Sequence, residues 1–346
     1  MKKRILLLIF CVFFLLCGCD ALPETGPLGT IESASMAAER DGVLYFLDPV
    51  GCVEDNTGIS AYDTKTGAYR TVISLEGEDV KSFQLSEDTV YYRTEAAIYA
   101  MTGETETLIY QETAENWSLD WMFLLEQDIY LSRSTLWTDE NDDLKECMQI
   151  LAIPAEGGTP TVVADLSDNL FHHDTITCYY DGKLYSRGFD GEIYIFDLKT
   201  GLLETQIAEN FVSQIFATKD GVLYTQTDES GTRVYRLDGT EYASGLEGTL
   251  LGSGENGLYF YASKYLDGSI HALREGEVSL ICDDFEWDMV TEPVGFGAGA
   301  HVLFYSPEAL TEDAKEESMY HNLYLLNGTT GEIKCIGGYV QDYMYS

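Results

Sequence analysis

Residues 41–46, Asp-Gly-Val-Leu-Tyr-Phe, contain the short pattern that decides the fold of this chain. The dipeptide Asp41-Gly42 is a turn signal, and the β-branched and aromatic residues that follow it show no helical spacing. A second apolar run, from Ile59 to Tyr62, follows several residues later and alternates as a strand does. The pattern therefore predicts two neighbouring β-strands.

The aliphatic-aromatic pair of the first strand recurs along the whole chain. It occurs seven times, as Leu44-Tyr45, Val90-Tyr91, Ile129-Tyr130, Leu184-Tyr185, Leu223-Tyr224, Leu258-Tyr259 and Leu303-Phe304. The steps between successive pairs are 46, 39, 55, 39, 35 and 45 residues, close to the roughly 40 to 50 residues of one four-stranded propeller blade. We predict an all-β fold, a seven-bladed β-propeller with four antiparallel strands per blade; six or eight blades are the alternatives.

Three repeats share a turn of fixed spacing between their third and fourth strands. Residues 61–67, 195–201 and 325–331 each contain an apolar pair, then Asp or Asn, then Thr-Gly. An Asp or Asn side chain can bond backbone amides within such a turn, and the glycine supplies positive φ. The turn resembles the Ala-x-Asp-x-x-Thr-Gly element of pyrroloquinoline-quinone-like propeller repeats. The remaining repeats look more like the low-density-lipoprotein-receptor-type propellers of exported bacterial proteins; neither resemblance implies a catalytic residue.

The N-terminus has the pattern of an export signal. Lys2, Lys3 and Arg4 precede an apolar run from Ile5 to Leu16, which is too short to span a bilayer of about 30 Å with ease. Residues 16–19, Leu-Cys-Gly-Cys, resemble the lipobox of bacterial lipoproteins, which implies cleavage after residue 18 and a lipid on Cys19. A plain signal peptide or an uncleaved N-terminal anchor is the alternative.

These observations predict a domain organisation and a location. We expect a lipoprotein signal peptide at 1–18, a lipidated N-terminus and flexible tether at 19–40, and a single propeller at 41–346. The protein would then be held at the cell membrane through Cys19 and face outside the cytoplasm.

Two segments compete for the inner strand that completes the first blade. Residues 31–37 precede the first repeat, whereas residues 339–345 follow the last one. The sequence favours the C-terminal segment, because its tyrosines would bury more apolar surface than the small, Ser- and Ala-rich N-terminal stretch. The N-terminal stretch would then remain tether.

The charge of the chain limits its partners. Acidic residues outnumber basic ones by 59 to 20, and the formal net charge is −39. Such a surface repels nucleic acid phosphates and anionic lipid head groups, so we expect no nucleic acid partner. It favours cations, basic peptides or neutral ligands.

Long and irregular segments are expected to converge on one face of the propeller. They lie between second and third strands or between blades, at 48–56, 132–147, 165–174, 282–292 and 306–321. Because binding residues concentrate on loops held by a rigid scaffold, we expect the ligand on this long-loop face.

The first candidate site on that face is acidic. Asp139, Asp142 and Asp143 offer the hard oxygen ligands that calcium uses, although the spacing is not that of an EF-hand loop. The alternative is a solvated acidic loop. No other cofactor is predicted.

Two further clusters contain possible ligand-binding residues. His172, His173 and Asp174 could place imidazoles and a carboxylate on a metal ion, but adjacent residues of an extended segment point to opposite sides, which argues against a shared site. Asp284, Glu286 and Trp287 pair an indole with carboxylates, which suits sugars or cationic groups. The alternative for this second cluster is a strand edge with the tryptophan buried.

Catalytic motifs are absent from the sequence. It contains no Gly-x-Ser-x-Gly elbow, no His-Glu-x-x-His pair and no phosphate-binding glycine loop before a helix. We expect a binding or interaction module with a protein, peptide or glycan ligand. The sequence favours a protein that is not an enzyme. The alternatives are a scaffold for envelope protein assembly and a glycan-active enzyme with a carboxylate pair on the long-loop face.

Overall fold

The structure is a computed structural model that describes most of the chain after residue 26. The described residues are 27–48, 58–75, 78–138, 144–166, 176–188, 191–207, 211–228, 231–246, 248–254, 257–264, 267–286, 294–308 and 318–342. Within these ranges, no helix combines the length and the apolar character needed to cross a membrane. The predicted signal peptide and Cys19 lie outside them.

The described residues form seven four-stranded antiparallel sheets, as predicted. In each sheet the strands follow chain order, so every blade is built from one continuous segment. Blades 1 to 4 are β1 (Ala37–Arg40), β2 (Val43–Asp48), β3 (Gly58–Asp63), β4 (Tyr69–Ile73); β5 (Ser82–Ser86), β6 (Thr89–Arg93), β7 (Ala97–Thr102), β8 (Thr105–Gln111); β9 (Ser118–Leu125), β10 (Asp128–Thr138), β11 (Leu144–Pro154), β12 (Thr161–Asp165); and β13 (Ile176–Tyr180), β14 (Lys183–Arg187), β15 (Glu192–Asp197), β16 (Leu203–Ile207).

The second half of the chain continues in the same way. Blades 5 to 7 are β17 (Gln214–Thr218), β18 (Gly221–Asp228), β19 (Gly231–Arg236), β20 (Glu241–Leu246); β21 (Thr249–Gly254), β22 (Gly257–Lys264), β23 (Asp267–Arg274), β24 (Glu277–Glu286); and β25 (Val294–Ala298), β26 (His301–Glu308), β27 (Ser318–Asn327), β28 (Ile333–Asp342). Each aliphatic-aromatic pair lies in the second strand of its blade. The inner strands of blades 2, 4 and 5 are β5, β13 and β17.

The turns explain why these short segments pair locally. Asp41 and Gly42 both have positive φ, 56° and 80°, and so do Asp181 and Gly182, at 49° and 74°. Positive φ at both central residues defines a type I′ turn, whose twist matches that of the strands it joins. The Asp-Gly signal therefore reflects a backbone requirement at the start of β2 and β14.

The Asp-x-x-Thr-Gly turn has the geometry expected from its residues. The carboxylate of Asp63 accepts hydrogen bonds from the backbone amides of Lys65 and Thr66, at 2.9 and 2.8 Å. Asp197 forms the same pair of bonds at the same distances in blade 4. Asn327 does so through its amide oxygen in blade 7. The glycine that closes each turn has positive φ, between 68° and 76°.

The hydrophobic core is divided among the blade junctions. Each of seven clusters of buried side chains lies between two neighbouring blades, and no described cluster is confined to one blade. At the junction of blades 3 and 4, for example, the rings of Phe123 and Tyr179 lie 5.4 Å apart. Because each sheet buries its faces against its neighbours, the ring is the folding unit.

A short helix occupies the centre of the ring. This helix, α1 (Ile31–Met36), contacts the inner strands β5, β9, β13 and β25, which belong to four different blades. The Ser35 hydroxyl lies 2.7 Å from the carbonyl of Ile31 and 3.1 Å from that of Met122. The Gln84 amide donates to the carbonyl of Ala34 at 3.1 Å. The axial channel is thus filled by the chain itself at this level.

The prediction that the C-terminal segment completes the first blade is wrong. β1 is the inner strand of blade 1 and pairs with β2, whereas Tyr339 lies in β28, the outer strand of blade 7, opposite His321. Residues 29–40 therefore belong to the folded body, which begins before the predicted boundary at 41. Small residues fit the crowded axis, where Ala37 is 2% exposed and Ser35 is 3% exposed.

Blades 1 and 7 close the ring without sharing a strand. Leu44 and Phe46 of blade 1 are buried against Leu303 and Leu323 of blade 7. The Glu39 carboxylate accepts a hydrogen bond from the amide of Ala300 at 3.0 Å and lies 2.9 Å from Nδ1 of His301. Side-chain packing and this polar contact replace the two-terminus blade expected from the sequence.

Candidate functional site

The antiparallel topology sorts the connections onto two opposite faces. The turns between first and second strands and between third and fourth strands lie on one face, here called the turn face. The connections between second and third strands and those between blades lie on the other, here called the hairpin face. The candidate site is on the hairpin face, the side on which the sequence predicts long loops.

Two of the predicted long loops begin and end as strands. β10 and β11 pair over eleven residues each, up to Thr138 opposite Leu144. β26 and β27 likewise pair up to Glu308 opposite Tyr320. The prediction of irregular segments is therefore wrong at 132–138, 144–147, 306–308 and 318–321, where β-forming residues continue the ladder. The remaining residues, 139–143 and 309–317, lie outside the described part of the chain.

The end of β10 carries two exposed apolar side chains. Leu136 is 52% exposed and Trp137 is 45% exposed. Both lie in the part of the β10–β11 hairpin that continues beyond its pairing with β9, which ends at Ser134. Because successive side chains of a strand point to opposite faces, Trp137 lies on the same face of β10 as Arg133, and Leu136 lies on the other. An exposed tryptophan is a residue that a protein partner often covers.

A polar cluster lies on β10 just before this apolar pair. Arg133 donates to the Glu112 carboxylate at 2.8 Å and to the Gln149 side-chain oxygen at 2.7 Å. Its guanidinium lies over the ring of Trp117, 4.3 Å from the centroid. The Tyr110 hydroxyl donates to the same Glu112 oxygen at 2.6 Å. We call these five residues the Arg133 cluster; it joins the outer strand of blade 2 to the middle of blade 3.

Burial and hydrogen bonds fix the ionisation state of the Arg133 cluster. Burial alone would raise the pKa of Glu112, but hydrogen bonds from Tyr110, Ala114 and Arg133 outweigh it, so the pKa lies below its usual value. Burial, together with the bond to Glu112, raises the pKa of Tyr110 to about 12. The carboxylate is thus ionised and the tyrosine neutral at physiological pH, which keeps Arg133 fixed beside the hairpin.

Two other arginines on this face are used within the ring. Arg93 donates to the backbone carbonyls of Leu119 and Asp120 at the start of β9, at 2.8 and 2.9 Å. Arg187 donates to the carbonyl of Ser213, just before β17, at 2.9 Å. Each therefore ties the second strand of one blade to the inner strand of the next. Burial lowers the pKa of Arg93.

The described cavities lie on the turn face, opposite to the predicted ligand side. One of about 340 Å³ lies between blades 5 and 6 and is lined by residues that include Leu28, Lys219, Tyr242 and Arg274. A larger one of about 730 Å³ lies between blades 4 and 5. The nitrogen Nε of Arg274 is buried, and its neighbour Nη2 donates to the carbonyl of Gly328.

Most of the sequence-predicted site residues fall outside the described residues. This applies to Cys19, Asp139, Asp142, Asp143, His172, His173, Asp174 and Trp287. Asp284 and Glu286 lie at the end of β24, the outer strand of blade 6, where it reaches the hairpin face. Among the residues that the structure describes, no group of three His, Cys, Asp or Glu side chains is arranged to hold a metal ion.

The sequence did not single out the Arg133 cluster. The signal that could have found it is the position of the arginines, since Arg93, Arg133 and Arg187 all occur in second strands. Two of them bond backbone atoms of the next blade, whereas Arg133 bonds side chains. That difference depends on three-dimensional neighbours and is not visible in one repeat.

Comparisons with known proteins show the fold. No family model matches the sequence, and no curated protein matches it significantly. Among solved structures, a variant of puromycin hydrolase is similar with a TM-score of 0.63 at 10% identity, covering 91% of this chain and 55% of that one. The chain thus spans about half the length of the hydrolase.

Two further structures are similar over most of their length. A chain of the mitotic checkpoint complex matches with a TM-score of 0.52 at 8% identity, covering 83% of this chain and 90% of that one. KlHsv2 with loop 6CD replaced by a Gly-Ser linker matches with a TM-score of 0.50 at 12% identity, covering 92% and 98%. At such low identity these likenesses show a β-propeller fold and nothing finer.

Proposed function

We propose that the protein is a lipid-anchored, extracytoplasmic binding module that presents the hairpin face to a protein or peptide ligand. The propeller fold and the occurrence of a similar fold in the mitotic checkpoint complex support an interaction role. The N-terminal export pattern and Cys19 support the anchor and the location.

The observation that carries this proposal is the exposed side chain of Trp137, which lies four residues after Arg133 and on the same face of β10. Tryptophan and arginine are the residues that most often dominate binding energy at protein interfaces. Arg133 already bonds Glu112 and Gln149, so it is rigid before a ligand arrives and loses little side-chain entropy on binding. A basic peptide would in addition be attracted by the acidic surface.

Site-specific crosslinking tests the ligand surface. A photoreactive aromatic side chain at position 137 should form a discrete adduct with an envelope component. Leu108 is the matched control, since its exposure of 51% is close to the 45% of Trp137 but it lies on the outer strand of blade 2. Equal adducts from positions 137 and 108, or none from 137, would contradict the proposal.

Lipid labelling tests the anchor independently. Cys19→Ala should abolish incorporation of a labelled fatty acid and normal cleavage of the export signal, because cleavage at a lipobox requires the modified cysteine. A mature N-terminus at another residue, without lipid, would overturn the anchor and leave the binding surface untouched.

Calcium binding by Asp139, Asp142 and Asp143 remains part of the proposal. In sequence these residues connect β10 to β11, next to Trp137. A site with an extracellular-type Kd of about 10⁻⁴ to 10⁻³ M would raise the melting temperature at millimolar calcium. The matched control is the variant with all three aspartates changed to asparagine; identical calcium titrations of both proteins would reject the site.

A further inference from the structure

The N-terminal segment leaves the ring at the turn face. Gly29 forms a two-way backbone pair with Ala217 of β17, with both N···O distances 2.8 Å. Ala217 is the penultimate residue of β17, next to the turn that leads to β18. Leu28 then lines the 340 Å³ cavity together with Lys219 and Glu275, which lie in turns of blades 5 and 6. The chain preceding Leu28 therefore starts from the turn face.

The remaining distance to Cys19 is short. Leu28 lies nine positions after Cys19, and an extended chain covers at most about 3.3–3.6 Å per residue, which gives about 30 Å. To reach the hairpin face, this segment would have to pass the outer edge of a blade. That path crosses four strands spaced about 4.8 Å apart and then follows a strand length of about 17–20 Å, so it takes up the whole length of the extended segment.

We propose that the turn face is the membrane-facing side of the propeller and that the hairpin face, with Leu136 and Trp137, points away from the membrane. This inference rests on the proposed lipid at Cys19. It assigns the lipid surface to one face, and it leaves the other face accessible to a ligand that is not embedded in the same membrane.

The charges of the turn face indicate that the tether sets this orientation. Around the two cavities Lys183, Lys219, Arg236 and Arg274 alternate with acidic residues, namely Asp181, Asp220, Asp238 and Glu275. A mixed surface of this kind has little net attraction for anionic head groups. The orientation should therefore persist when salt screens surface charges.

Two exposed glutamates of blade 2 provide matched probe positions. Glu104 lies in the turn before β8, on the turn face, and Glu115 lies just after β8, on the hairpin face. β8 spans seven residues, so the two positions differ in height by about 20 Å. A fluorophore is attached through an unnatural side chain at one position, and energy transfer to an acceptor dye on the head groups of phosphatidylcholine vesicles is measured.

Tag placement separates orientation from lipidation. The chain from Asp20 onward carries a hexahistidine tag at its N-terminus and is held on vesicles that contain a nickel-chelating lipid. Transfer from position 104 should exceed that from 115 several-fold at both low and high salt. With the tag after Ser346 the order should reverse, because β28 ends on the hairpin face.

Each outcome decides one claim. Equal transfer from both positions, or stronger transfer from 115 with the N-terminal tag, would overturn the orientation. If the protein purified from membranes carries no lipid on Cys19, the proposed lipid anchor is wrong. The energy-transfer result with the N-terminal tag would still stand. The same probes in the protein purified with its lipid should repeat the N-terminal-tag result.

Discussion

Replacing Ile31 with alanine should lower the melting temperature by about 5 °C. Ile31 is 1% exposed and belongs to the cluster between blades 3 and 4, where Phe123 and Tyr179 are fully buried. Truncation of a buried isoleucine costs about 2–5 kcal/mol. Unfolding entropy of about 2.1 cal/mol/K per residue gives about 0.6 kcal/mol/K for a body of roughly 300 residues. A loss of about 3 kcal/mol therefore corresponds to about 5 °C.

Calorimetry or circular dichroism at a fixed scan rate measures this shift. Leu202→Ala is the control, because Leu202 is 62% exposed in a turn of blade 4 and its truncation should change the melting temperature by less than 1 °C, a shift of about 0.5 kcal/mol. If Ile31→Ala and Leu202→Ala melt together, the helix is not packed in the channel and the reasoning about the ring centre fails.

Three further changes test other parts of the fold. A chain that starts at Asp41 lacks α1 and β1, so it should either aggregate or fail to fold, as measured by gel filtration and circular dichroism. A melting curve like that of the full chain would show that the N-terminal stretch is only a tether. Glu39→Gln weakens the bonds to Ala300 and His301 between blades 7 and 1 and should cost about 1 kcal/mol, or about 2 °C; a melt unchanged within error would show that this contact does not hold the ring. The backbone amide of Thr200 lowers the pKa of Asp197 below its value of 3.8, so this carboxylate stabilises the fold above the unfolded pKa and its contribution disappears as pH falls through the folded pKa. Asp197→Asn introduces the side chain that Asn327 already uses in the same turn of blade 7, so it should keep the turn and flatten the loss of stability below about pH 4; an acid limb identical to that of the unaltered protein would contradict this.

The blades could be predicted from the sequence because their signals are local. The pair Leu44-Tyr45 follows a type I′ turn whose two residues need positive φ, and this requirement appears directly as Asp41-Gly42. The turn after β3 is equally local, since Asp63 bonds amides two and three residues later. Seven repeats of such signals determine the number of blades.

The ring centre and the hairpin site could not be predicted in this way. Apolar content favoured residues 339–345 as the inner strand. The crowded centre of the ring instead requires small side chains, and Ala37 and Ser35 fit there. The Arg133 cluster depends on Glu112 of the preceding blade, a neighbour brought close by the fold. The residues proposed to bind calcium, sugars or a metal ion lie outside the described part of the chain or at its edge, and their roles stay predictions.

The helix α1 is synthesised early but also packs against the blade that is synthesised last. In an open array of repeats each unit contacts only its neighbours, so stability accumulates unit by unit. Here a helix made within the first 36 residues contacts β25, which begins at Val294. The packing around this helix is therefore complete only when the last blade has formed, and contacts of such sequence separation slow folding and prolong the exposure of unpaired strand edges. We expect the ring to form cooperatively, in one transition, and chains shortened by a blade to lack any stable partial ring.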